Sequence, residues 1–324
     1  MKKILSCDWG SSSFRLRLVD LDAGEIIFSE TSSRGISQSY QEWRLAEENA
    51  VERISFYQKI ISAHIISMER NSGTSLDLVP LVVSGMASSS IGMIELPYRK
   101  IPFALDVSSM ETSYMPSTKE FPHDTLIVSG VATDNDVMRG EETMLLGCAS
   151  EGFLGADTTV IFPGTHSKHI YIKSGQTVGL KTYMTGEFFE LLSMQSILSV
   201  AISKSAWVNG GKQRDAFLQG VRIGAKTNLL HAAFSVRTNG LFLRMEPEQN
   251  YHYLSGLIIG SELREILDEL SSSLTLVSDS LLGQLYREAM DVIGIKTSVP
   301  SFHKVDAGDA LIKGQLVIYR NFIL

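Results

Sequence analysis

Short apolar runs and helical stripes alternate along the chain, and their order is repeated once. Residues 4–7, 14–19 and 25–30 read as three short strands joined by turns at 10–13 and 20–24. Over residues 44–69 the period changes: Ile54, Tyr57, Ile61, Ile65 and Met68 recur at helical spacing and predict one long amphipathic helix. Asn71-Ser72-Gly73 stops it. Residues 78–83 and 126–128 are continuous apolar runs, short enough for buried central strands. The stretch between them, 86–119, is rich in Ser, Pro and Gly and reads as a functional insertion.

A helix is predicted from Asp136 to about Ala149, and then the opening pattern returns. Residues 159–162, 167–173 and 177–182 predict three strands with turns at 163–166 and 174–176, followed by a helix from Glu187. Helices are predicted over roughly 214–235, 248–270, 281–293 and 307–319, with a short strand at 274–278. A meander of strands followed by helices, occurring twice without residue identity, predicts an α/β protein of two domains. The boundary falls near Gly130, giving 1–130 and 131–324. A length of 324 residues agrees, since a single core usually stops growing below that size.

Composition narrows the partners. With 44% hydrophobic and 20% charged residues the chain has an ordinary globular composition. A net charge of -7, with no basic stretch, argues against nucleic acid but leaves room for a small anionic ligand. Cys7 and Cys148 are too few for a disulfide framework or a cysteine metal site, as expected in a reducing cytoplasm. The apolar run after Met1-Lys2-Lys3 ends at Cys7-Asp8, too short for a signal peptide. No apolar run nears the ~18 residues of a membrane span. A soluble cytoplasmic protein is the expectation; the sequence leaves its oligomeric state open.

The candidate chemistry sits in four places. The first is the turn Asp8-Trp9-Gly10-Ser11-Ser12-Ser13, where backbone N–H groups and hydroxyls converge as a phosphate chain requires. Asp8 is suited to a Mg²⁺ ion accompanying that phosphate, through a water. The second is Pro163-Gly164-Thr165-His166-Ser167-Lys168, in which Gly164 admits close approach and Thr165, Ser167 and Lys168 add donors. Either turn alone is equally an ordinary polar turn; the pair, each between strands, reads as two grips on ATP. The third is Asp136, placed as a base for an attacking hydroxyl or simply as a helix cap. Arg139 is a partner for Asp136, for the phosphoryl group or for an anionic substrate. The fourth is the loop from Gly85 to Tyr98, with Met86, Ser89 and Glu95, which follows a buried strand as a sugar or sugar-acid pocket would. Its plain alternative is a flexible surface loop. Walker A, dinucleotide, H-E-x-x-H and G-x-S-x-G motifs are all missing from the sequence.

Several of these segments together resemble the 2-dehydro-3-deoxygalactonokinase family, bacterial sugar-acid kinases. They are Cys7-Asp8-Trp9-Gly10 with Arg15, Gly85-Met86 to Pro97-Tyr98, Asp136-Val137-Met138-Arg139-Gly140-Glu141-Glu142, Pro163 to Lys168 with Tyr183-Met184-Thr185-Gly186-Glu187, and Leu254 to Gly260. The resemblance spans nearly the whole chain. It implies two ribonuclease-H-like domains of the actin/hexokinase type with an interdomain cleft, and ATP with Mg²⁺ as cofactors. It implies that Gly10 to Ser13 with Arg15, and Gly164 to Lys168, are the two phosphate loops, and that Asp136 is the base. Gly256, Gly260 and Ser278 are similar to the adenosine-binding region. The implied reaction is phosphorylation of 2-dehydro-3-deoxy-D-galactonate at its terminal 6-hydroxyl. A kinase of another sugar or sugar acid, or a non-kinase actin-like ATPase, is the alternative.

Overall fold

The computed structural model describes residues 2–47, 52–268, 273–278 and 280–323. The chain forms two compact units: Met1–Phe153 with Gln176–Val178 and Ala307–Leu324, and Leu154–Gly175 with Gly179–Asp306.

In the first unit β1 (Lys3–Trp9), β2 (Phe14–Asp20) and β3 (Ile26–Ser32) form the predicted meander. The predicted long helix is instead two, α1 (Ile36–Glu47) and α2 (Arg53–Ser72). The periodic residues Tyr57, Ile61, Ile65 and Met68 are the buried stripe of α2 alone. The join, residues 48–51, lies outside the described residues. The apolar run at 78–83 becomes the fully buried β4 (Leu81–Gly85). The insertion holds three short strands, β5 (Arg99–Lys100), β6 (Phe103–Ala104) and β7 (Thr112–Met115), before β8 (Thr125–Val128). Next come β9 (Val131–Ala132) and β10 (Val137–Met138), a small hairpin, and only then α3 (Glu141–Ser150).

The main sheet of this unit has the order β3-β2-β1-β4-β8-β7. β2 runs antiparallel to β1 and β3, while β4 runs parallel to β1 and β8. That is the ribonuclease-H arrangement. Its α2 face is built on Leu5, Cys7, Trp9, Phe14 and Leu16 with the stripe of α2. Its other face packs Ile4, Val19, Val82 and Leu126 against Leu146 of α3 and Ile312, Leu316 and Ile318 of α10 (Ala307–Ile323).

The second unit repeats the plan. β11 (Thr158–Phe162), β12 (Ser167–Lys173) and β13 (Gln176–Tyr183) form a meander followed by α4 (Thr185–Gln195). β14 (Ser273–Val277) pairs parallel with β11, and β15 (Ser301–Val305) with β14, giving the order β15-β14-β11-β12-β13. The helix predicted over 214–235 is broken into α5 (Gly211–Gly224) and α6 (Leu229–Leu241), because Asn228 accepts Leu230 N–H at 2.9 Å and caps a new start. α7 (Pro247–Asp268) ends before Leu270, which lies outside the described residues. α8 (Ser280–Val292) and α9 (Ile295–Ser298) complete the unit. Among the described residues no helix is long and apolar enough to cross a membrane.

Candidate active site

The first hairpin is held open toward solvent. Trp9 pairs with Phe14 across it, and the buried rings meet edge to face at 4.9 Å. Gly10 N–H donates to Ser13 O at 2.9 Å and closes the turn. The N-terminus of α1 docks beneath it, with Ile36 N–H on Gly10 O at 2.9 Å and Ser37 N–H on Ser11 O at 3.1 Å. Gly35 makes this possible, since a Cβ there would overlap the Ser11 carbonyl. Ser11 and Ser12 remain exposed, and Ser13 and Gly10 half-exposed. One register step below, Arg15 Nη1 donates to Asp8 Oδ2 at 3.0 Å. Arg15, read as a phosphate contact, is thus first of all the partner of Asp8.

Behind that hairpin β4 runs into the predicted pocket loop. Gly85, at φ 91°, lies against Trp9, where a Cβ would stand 2.8 Å from its carbonyl oxygen and 3.6 Å from Asp8 Oδ1. Met86 begins a 3-10 turn, and buried Ser89 donates its hydroxyl to Met86 O at 2.7 Å, within the loop. Arg139 fixes the loop's far side. Its guanidinium donates to Ser88 O, to Ser88 Oγ at 2.6 Å and to Leu96 O at 3.0 Å, and lies 4.0 Å over the Tyr98 ring. Arg139 is therefore a clamp on residues 88–98. Glu95 is exposed at the loop's surface.

Asp136 does not cap a helix. It sits in the β9–β10 turn, where its carbonyl accepts Thr133 N–H at 2.8 Å, and α3 starts five residues later behind Gly140. Its half-exposed position leaves the base role geometrically open. The acid at the helix start is instead Glu142, wholly buried, which accepts Gly140 N–H on both oxygens at 2.9 and 2.7 Å. Burial, and next the charge of Glu141, push its pKa up to about 8. Thr143 Oγ1 lies 3.1 Å from both Glu142 Oε1 and Ser84 Oγ. Gln315 of α10 donates to Ser84 Oγ and to Cys7 O, both at 3.0 Å, and so ties β1, β4 and α3 together. From the sequence Glu142 is only a less well placed alternative to Asp136 as a base; its burial at the helix start is not visible there.

The second hairpin is fixed from within. Gly186 and Glu187 at the start of α4 donate N–H to Thr165 O at 3.1 and 3.2 Å, and a Cβ on Gly186 would stand 2.7 Å from Thr165 Cα. His166 Nε2 lies 2.6 Å from Glu187 Oε2. Ser167 and Lys168, read as phosphate donors, are buried. Ser167 Oγ donates at 2.7 Å to Oε1 of Glu262, a buried carboxylate on α7 that also accepts from His169 Nε2 at 2.8 Å and from the hydroxyls of Thr185 and Tyr286. Burial acts to raise the Glu262 pKa, but these donors, His169 foremost, bring it below the ordinary carboxylate value.

Only Gly164 and Thr165 of that turn open onto a cavity of about 630 Å³, which Thr185, Gly186 and Tyr286 also line. Its walls include Trp207, Tyr251, His252 and Ile259, with Lys204 contributing an ammonium. Trp207 meets His252 edge to face at 5.4 Å, and burial holds the His252 imidazole below its ordinary pKa. Aromatic walls with a few polar groups suit a flat heterocycle. Lys204, Trp207, Tyr251 and His252 were marked by no motif, because they meet only through the packing of α7 against the loop at 202–210.

The glycines of α7 serve a different end. A Cβ on Gly256 would overlap Phe217 O, and one on Gly260 would overlap Val221 O, both in α5. Gly220 and Gly224 of α5 are equally tight against Tyr253 and Leu257, so the four glycines let two helix backbones touch. Their neighbours Ser255 and Ile259, on another face of α7, line the cavity. Ser278 is buried where β14 ends, its N–H on Val305 O at 3.0 Å, and Asp279 lies outside the described residues. Among the described residues no three His, Cys, Asp or Glu side chains cluster as a metal cage. Asp8, with one oxygen held by Arg15, fits a single water-mediated contact to Mg²⁺ carried by phosphates.

Two ribonuclease-H-like units, each with a hydroxyl-bearing hairpin between its first two strands, give the two-domain fold of the actin/hexokinase type. The chain belongs to the 2-keto-3-deoxy-galactonokinase family, whose pattern it matches over residues 8–316, and is a sugar-acid kinase. It is 30% identical over 319 residues to a Rhizobium meliloti protein named as a probable 2-dehydro-3-deoxygalactonokinase, covering 95% of this chain and 93% of that one. It is 27% identical over 299 residues to the 2-dehydro-3-deoxygalactonokinase of Escherichia coli, covering 90% of each. A crystal structure from Sinorhizobium meliloti given the same kinase name superposes with a TM-score of 0.78 at 27% identity, covering 98% of this chain and 96% of that one. Component A of (R)-2-hydroxyglutaryl-CoA dehydratase from Acidaminococcus fermentans, at 11% identity over the full length of both chains and a TM-score of 0.51, shares the fold alone.

Proposed function

We propose that this kinase transfers the γ-phosphoryl group of ATP to the 6-hydroxyl of 2-dehydro-3-deoxy-D-galactonate. The observation that carries the reading is family membership over residues 8–316, a span that contains both hairpins, the Arg139-clamped loop and Asp136. In the first unit, the N–H groups and hydroxyls of residues 10–13 hold phosphate oxygens. In the second, Gly164 and Thr165 receive the phosphate chain, and the 630 Å³ cavity beside them takes the nucleoside. Mg²⁺ carried with ATP, and met by Asp8 through water, supplies charge neutralisation when bound.

The sugar acid rests against the loop from Gly85 to Tyr98, which Arg139 keeps in one conformation. Asp136 accepts the proton of the attacking hydroxyl, a contribution of about 10²–10⁴-fold in rate. Phosphoryl transfer asks little more of a protein than alignment and charge neutralisation, so a clamped loop and fixed hairpins are the relevant equipment.

A coupled ATP assay over a panel of keto-deoxy acids, aldonic acids and aldoses tests the reading. Turnover should peak with 2-dehydro-3-deoxy-D-galactonate, and Asp136→Asn should keep ATP binding while losing most turnover. A fully active Asp136→Asn removes that residue from the mechanism. Preference for another acceptor moves the substrate assignment, and ATP hydrolysis indifferent to any acceptor overturns the kinase reading.

A further inference from the structure

One face of the second unit exposes a broad run of apolar side chains, at the upper limit of what a lone protein usually leaves open. On α4, Phe188, Leu191 and Met194 follow one another at helical spacing on the solvent side, and Met194 is 70% exposed. The 3-10 turn at Ile197–Ala201 continues the stripe with Ile197 and Val200, the latter also 70% exposed. On α6 the outward stripe is Leu230, Phe234 and Leu241, with Leu230 at 84% and Phe234 at 53%. These elements border one surface, because the 197–201 turn packs on both α4 and α6, and Phe188 of α4 and Leu229 of α6 line a common cavity. The Ile197–Ala201 turn also abuts α6, as a Cβ on Gly240 would stand 2.9 Å from the Ala201 side chain.

At roughly 200 Å² for a fully exposed aromatic side chain and roughly 100 Å² for an aliphatic one, the eight residues present on the order of 600 Å² of apolar area. That reaches the top of the roughly 300–600 Å² of the largest patch on a typical monomer. With a polar rim it makes up most of the roughly 800 Å² that each partner contributes to a stable interface of standard size.

Charge identifies the occupant. Glu187 at the start of α4 is taken up by His166, so the charge that α4 and the turn after it present is Glu190, with no Lys or Arg, whereas α6 presents Arg237 and no Asp or Glu. An apolar face with an acidic arm and a basic arm is complementary to itself when turned by a two-fold axis. We infer that this face joins two copies of the chain in an isologous dimer, with α4 of one copy lying against α6 of the other. The inference stands on the surface alone and is independent of the sugar acid or the base.

Sedimentation velocity on the full chain, at about 50 µM and through dilution to about 0.1 µM, reads the result against the roughly micromolar-or-tighter affinity of standard interfaces. The expected mass is twice that of one chain at the upper concentration. Phe234→Asp should raise the dimer Kd at least tenfold, with a thermal midpoint equal to the parent's when both are measured below the parent's dimer Kd. Glu190→Arg and Arg237→Glu should each weaken the dimer, and the two together in one chain should restore it by exchanging the pair. A single-chain mass across the range overturns the inference, as does a dimer that Phe234→Asp leaves intact. Failure of the double variant to recover overturns the α4-to-α6 pairing. Monomers that capture a different protein on this face assign it to that protein instead.

Discussion

Residues 9–14 and 162–168 join the first two strands of their respective units, yet their polar groups point in opposite directions. The first hairpin keeps Ser11, Ser12 and the Asp8–Arg15 pair at the surface and rests on α1 through Gly35. The second turns Ser167 and His169 inward onto Glu262 and leaves only Gly164 and Thr165 against the cavity. Beside each stands one buried glutamate, and these too are opposites. Glu142 finds backbone N–H but no cation, so burial dominates and favours the neutral acid; Glu262 collects four side-chain donors and stays ionised. The same scaffold thus carries one hairpin built to expose its donors and one built to be held still.

The largest expected effect falls on the still one. Glu262→Ala strips the acceptor from Ser167, His169, Thr185 and Tyr286 and should cost about 5 kcal/mol, the upper end for breaking a buried charged network. Chemical denaturation measures it. Because the folded pKa of Glu262 is depressed, its contribution is full above the unfolded carboxylate range and fades as pH falls, so Glu262→Gln should also flatten acid unfolding. A variant as stable as the parent would show that the second hairpin does not depend on this hub.

Glu142 gives the opposite slope. Its folded pKa is raised from 4.5 to about 8, so the folded state holds the extra proton and stability declines as pH rises through that interval. At about 1.4 kcal/mol per unit the decline is on the order of 5 kcal/mol by pH 9. Glu142→Gln should remove most of it, seen as thermal midpoints that no longer drop between pH 5 and pH 9, roughly the window those pKa values bracket.

Smaller effects separate fixing from binding. Gly186→Ala sets a methyl 2.7 Å from Thr165 Cα and should cost about 1–3 kcal/mol with a raised KM for ATP. Ser11→Ala removes an exposed hydroxyl from the other hairpin. It should leave the melting temperature unchanged and raise the KM for ATP by roughly fivefold, about 1 kcal/mol of one hydrogen bond. Equal stability losses in both would erase the contrast between the hairpins.

The strands and both hairpins were legible because alternation, turn residues and hydroxyls are local properties. The inward turn of Ser167 was not, since β11 and most of β12 are buried on both faces and alternation no longer marks a side. Its acceptor, Glu262, stands 95 positions away in the chain. Gly256 and Gly260 show a second limit: glycines four apart admit either a ligand or another backbone, and here α5 is what comes close. For Asp136 the unforeseen feature was the β9–β10 hairpin, two residues per strand, too short to leave a periodic trace. The aromatic cavity draws its walls from one stripe of α7, from α8 and from the loop at 202–210, segments that only the tertiary fold brings together.

One consequence concerns biosynthesis. α10 supplies Ile312, Leu316 and Ile318 to one side of the first unit's sheet, and its Gln315 is the link between Cys7 and Ser84. On the ribosome this helix emerges after every residue of the second unit, so the half of the chain made first is the half finished last. Until then Ile4, Val82 and Leu126 have only α3 for cover, and released chains truncated before residue 307 should bind chaperones through the first unit while the second is protease-resistant.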